Sequence, residues 1–62
     1  MVGSLIQASV NHPDDYRYQA SVKGVIIKQS GSQCRVHIYE LDGKSVDRVM
    51  LMHASGFRYI SH

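Results

Sequence analysis

The run Tyr16-Arg17-Tyr18-Gln19-Ala20-Ser21-Val22-Lys23-Gly24-Val25-Ile26-Ile27 decides the fold. Tyr16, Tyr18, Ala20, Val22, Gly24 and Ile26 recur at every second position, with Arg17, Gln19, Ser21 and Lys23 between them. That period is the mark of a strand, whose successive side chains point to opposite faces. The alternation fails at Val25-Ile26-Ile27, where consecutive apolar residues must serve both faces. A bulge or sharp bend near Gly24 accommodates them and implies a strongly curved sheet.

Outward from this run the same period returns. Ser30-Gly31-Ser32 reads as a turn, and Gln33 to Leu41 as a strand with Cys34, Val36 and Ile38 on one face and Arg35, His37 and Tyr39 on the other. Asp42-Gly43 is a favoured pair for a type I′ hairpin, because both residues tolerate positive φ. Lys44 to Met52 forms the next strand, with Val46 and Val49 out of phase, so a second irregularity is expected near Asp47-Arg48. After a turn at Ser55-Gly56, Phe57-Arg58-Tyr59-Ile60 reads as a short strand at a sheet edge or beside the N-terminus. In the other direction, Asn11-His12-Pro13-Asp14-Asp15 is a turn that separates Leu5, Ile6 and Val10, read as a short strand, from the main body.

Four to five short strands joined by tight turns predict an all-β chain: a small, strongly bent antiparallel sheet or an SH3-like or OB-like barrel. A single domain is expected over residues 1–62, with 1–15 as N-terminal segment and turn and 16–60 as the main antiparallel sheet. A chain of 62 residues is small for an independent fold, since such a domain buries only about 60% of its unfolded surface. Its one cysteine, Cys34, excludes an internal disulfide, so a homo-oligomer is the expected supplement to a thin core. No apolar run approaches membrane-spanning length, and the start of the chain lacks the basic and apolar regions of a secretory signal. The expectation is a cytoplasmic protein without a membrane partner.

The histidines His12, His37, His53 and His62, with Cys34, are zinc-ligand types but lack paired ligand spacing. Cys34 and His37 would also point to opposite strand faces. Cys34 shares the Val36 and Ile38 face and reads as a small buried hydrophobe. The acids sit in or near turns, and Gly43-Lys44-Ser45 lacks the earlier glycine and helix of a phosphate-binding loop. No enzyme, metal or cofactor is expected.

Net charge is +2, but from Arg17 onward seven basic residues face three acids. Basic and aromatic side chains mixed on strands suit single-stranded nucleic acid, where cations track phosphates and rings stack on bases. The expected function is a small non-enzymatic binding module, with nucleic acid held by Arg35, His37 and Tyr39 and by Arg17, Lys23 and Arg58 nearby. Its alternative is a self-associating protein-interaction module or adaptor that uses apolar residues such as Val25, Ile27, Met50 and Met52. The plainer reading of the basic and aromatic residues is that the tyrosines cap a thin core and the cations are ordinary solvated charges on a wet sheet face.

Overall fold

The computed structural model describes residues 2–12 and 14–61; Pro13 and His62, singled out in the sequence, lie outside them. Five strands form one antiparallel sheet: β1 (Leu5–His12), β2 (Asp15–Ser30), β3 (Gln33–Leu41), β4 (Lys44–His53) and β5 (Arg58–Ser61). A single 3₁₀ turn, Ala54–Gly56, joins β4 to β5. The spatial order is β4-β3-β2-β1-β5, a meander whose last strand crosses to the far side of the first. Residues before the Asn11–Asp15 turn are therefore inside the sheet, with β1 between β2 and β5.

The hairpins follow local chemistry. Asp42 and Gly43 both have positive φ, 50° and 82°, as a type I′ turn requires. Asp42 does more than turn the chain. Its backbone N–H donates to the Ser21 carbonyl at 2.8 Å, and its Oδ1 accepts the Ser21 N–H at 2.8 Å, tying the hairpin tip to β2. Gly31 takes positive φ in the two-residue loop between Ser30 and Gln33.

The core lies on one face of the sheet. Ile6, Ala8, Ala20, Val22, Ile26, Cys34, Val36, Ile38, Leu41 and Met52 are buried there, with Val10, Val46, Met50, Ala54 and Phe57 packed against them. No second layer covers that face among the described residues, so the sheet must curl over its own side chains to exclude water. The curl is visible in an ion pair between Arg48 on β4 and Asp14 at the β1–β2 turn, 3.5 Å apart although β3 and β2 intervene in the sheet. Small residues permit it: Gly24 sits between its register partners Ile6 and Ile38. The sheet is bent but does not close into a barrel, and β4 and β5 remain its two edges.

Three register shifts account for the broken alternation. One opposes Lys23-Gly24 to Glu40 and Ile38, which leaves Tyr39 as an extra residue. Another makes Ile27 extra against Val36-Arg35, and a third lies where Ile38 and Glu40 face Arg48 and Ser45. The irregularities expected near Gly24 and near Asp47-Arg48 are thus both present. Met52 is buried in the core, and Met50 packs half-buried against it on the same face of the edge strand β4.

Candidate nucleic-acid interface

The face opposite the core, here the outer face, carries the candidate residues. Along β3 the inward side chains of Cys34, Val36 and Ile38 are almost completely buried, which turns Arg35, His37 and Tyr39 outward. Lys23 and Arg17 share the outward phase of β2, and Arg58 on β5 lies beside Gln7 of β1. All six sequence candidates therefore belong to one side of one sheet.

Their charges are not equally available. Lys23 pairs with Glu40 at 3.4 Å, and these two are also register partners across β2 and β3. His37 Nε2 meets Asp47 Oδ1 at 2.5 Å, so a carboxylate from β4 occupies the ring expected to meet phosphate. Arg17 makes two hydrogen bonds to the Asp15 carboxylate, Nε to Oδ1 and Nη2 to Oδ2, at 3.0 and 2.9 Å. These bonds, with a third from the Arg17 backbone N–H, hold the Asp15 carboxyl below its usual range, and the two side-chain bonds raise the Arg17 guanidinium in turn. Arg17 also sits on the β2 segment that extends past β3, away from the trio.

Arg35 and Arg58 make no ion pair among the described residues, and neither do Lys28 and Lys44. Lys28 is the residue that strict alternation misplaces. Counting by twos from Ile26 sends it inward, but the extra residue Ile27 resets the phase and makes Lys28 the register partner of Arg35. The three apolar residues at 25–27 mark that reset in the sequence. Lys28 and Arg35 border a shallow depression together with Ser30, Gln33 and Leu51. A second hollow, more polar, is bounded by Gln7, Ala8, Ser9, Ser21 and Arg58.

Of the aromatic residues, Tyr39 keeps 37% of its surface exposed. Tyr16 and Tyr18 are more open, at 80% and 62%, yet they lie on the inward phase of β2 where β3 no longer runs beside it. They do not cap the core. Phe57 and Tyr59 stack edge to face with ring centres 5.6 Å apart.

Among the described residues no group of three His, Cys, Asp or Glu side chains gathers to hold a metal, and no helix is long and apolar enough to cross a membrane. No protein-family model matches the chain, nor does any curated protein or solved structure. What the outer face offers is a pair of unopposed cations beside hydroxyl, amide and apolar groups, with a half-exposed ring further along the same strand.

Proposed function

We propose that the domain is a non-catalytic binding module that holds single-stranded nucleic acid across the outer face of its sheet. The observation that carries this reading is the juxtaposition of Lys28 and Arg35 over the depression they share with Ser30, Gln33 and Leu51. Two cations with no acid to neutralise them suit a phosphate, and the hydroxyl and amide can complete its hydrogen bonds. Leu51 gives a sugar or base edge an apolar surface to rest on. Tyr39 stands four residues along β3 from Arg35, about 13 Å at the usual strand rise, and supplies a ring for stacking. His37, occupied by Asp47, lies between these two points, and Lys23, occupied by Glu40, lies just beyond Tyr39; neither adds much charge. A single strand suits this site, since its depression is shallow and its ring can stack on an unpaired base.

The test is fluorescence anisotropy with labelled single-stranded DNA and RNA at low and high salt. Lys28→Ala and Arg35→Ala are each expected to weaken binding about ten-fold at low salt, the effect of losing one charge-assisted contact. Tyr39→Ala should cost roughly 1 to 3 kcal/mol if a base stacks on its ring. Absence of binding at low salt, or parent-like binding by all three variants, overturns the reading.

A further inference from the structure

Of the sheet's two edge strands, β4 is much the longer, ten residues against four in β5. An open edge presents N–H and C=O groups that point away from the sheet and can pair with another strand. Edges are commonly protected by proline, by bulges, by inward-pointing charge or by being short. The first half of β4 has an irregularity beside Asp47 and an inward-phase arginine, Arg48, which Asp14 holds, while the stretch from Val49 to His53 has none of these. On its outer face it displays Val49 and Leu51, 57% and 66% exposed.

We propose that a second copy of this chain pairs antiparallel along β4, about a two-fold axis that passes through Met50 perpendicular to the sheet. Paired residues share a face, so the axis must fall on a residue, and side-chain complementarity selects which one. An axis at Asp47 sets two aspartates opposite each other, and one at Arg48 sets two arginines. An axis at Val49 opposes Asp47 to Leu51, and one at Leu51 opposes Val49 to His53. With the axis at Met50, Val49 lies opposite Leu51 of the second copy, Arg48, already held by Asp14, opposite its Met52, and Asp47 opposite its His53, each pair occurring twice by symmetry.

The chemistry of the polar pair supports that register. His53 Nδ1 accepts the Ser55 backbone N–H at 3.2 Å and lies 2.7 Å from the Ser55 hydroxyl, so the remaining ring nitrogen, Nε2, carries a hydrogen to donate. Asp47 uses Oδ1 on His37 and has Oδ2 to accept it, on a side chain that is otherwise in solvent. The resulting dimer joins two five-stranded sheets into one, with both outer faces on the same side. The pairing stands independently of nucleic-acid binding.

Sedimentation velocity on the whole chain across a concentration series, without oligonucleotide, tests it. The parent is expected to show a monomer–dimer equilibrium. Leu51→Lys should raise the dissociation constant about ten-fold or more, by removing two cross-strand apolar pairs, with the circular dichroism of the strands unchanged. His53→Asp preserves a capping side chain for the 3₁₀ turn but opposes Asp47 with a second carboxylate, and should also dissociate the dimer. Combining it with Asp47→Lys restores opposite charges and should recover the parent's affinity. A parent that stays monomeric up to its solubility limit overturns the proposal, as do dimers indifferent to both Leu51→Lys and His53→Asp. Failure of the double variant to recover overturns the register.

Discussion

At Gly24 the curvature of the sheet becomes a requirement for one residue type. A Cβ there would come within 2.7 Å of the His37 carbonyl oxygen and of Val36 Cγ1, and 2.9 Å from Ile38 Cδ1. One of these contacts is backbone, and the other two belong to fully buried core residues, so none can yield cheaply. Gly24→Ala is therefore expected to lose about 1 to 3 kcal/mol of stability, the usual range for overpacking a core. Urea unfolding followed by circular dichroism measures it, and a variant as stable as the parent would show that the strands can separate at this point. Gly31 and Gly43 differ in kind, since each has open space where a Cβ would go and is held to glycine by its positive φ alone. Sequence identifies Gly24 as a break in a strand pattern, but the atoms that forbid a side chain come from β3 and are visible only after pairing.

The strands themselves were legible because their inward phase is written in Val, Ile, Ala and Cys, and the turns because Asp42-Gly43 and Ser30-Gly31-Ser32 have few other uses. Bulges were legible only as disturbances. Val25-Ile26-Ile27 announces that the phase must change, but whether Ile27 or a neighbour is the extra residue depends on the partner strand. Nor does alternation reveal how far a partner extends, and Tyr16 and Tyr18 follow the core phase of β2 yet stand in solvent. From Asp15 to Ala20 this strand pairs only with β1, because β3 first meets it at Val22. Over residues 16–19, where every side chain is exposed, a two-stranded ribbon is marginally stable, so β2 should divide into two regions of different local stability. Hydrogen exchange followed by NMR is expected to show amides at 16–19 exchanging markedly faster than those at 22–26. Equal protection along the whole strand would mean that the ribbon is supported from its inner side.

For the molecule as a whole, the pairing of charges matters more than their number. Of seven Lys and Arg side chains, Arg17, Lys23 and Arg48 are held by acids, and His37 is met by Asp47. This is where a reading from composition goes furthest astray, because the excess of base after Arg17 suggests a broad cationic face, while in the folded sheet the adjacent cations without an acid are Lys28 and Arg35, with Arg58 and Lys44 apart from them. Glu40 lies far in sequence from Lys23, and Asp14 from Arg48, so no local pattern announces those two pairs, whereas Asp15 stands only two residues from Arg17. The consequence is quantitative. Each phosphate neutralised on a single strand contributes a slope of about −0.7 to the dependence of log K on log salt. If two or three cations engage phosphate, the slope should lie near −1.4 to −2, well short of the roughly −5 that seven contacts would give. Arg35→Ala and Lys28→Ala should each reduce its magnitude by about one phosphate's share. Arg17→Ala and Lys23→Ala should leave it unchanged, because those side chains already have carboxylate partners. A steep slope in the parent, or a slope that falls with Arg17→Ala as much as with Arg35→Ala, would mean that the ion pairs open on binding and that nucleic acid spreads beyond the Lys28 and Arg35 depression.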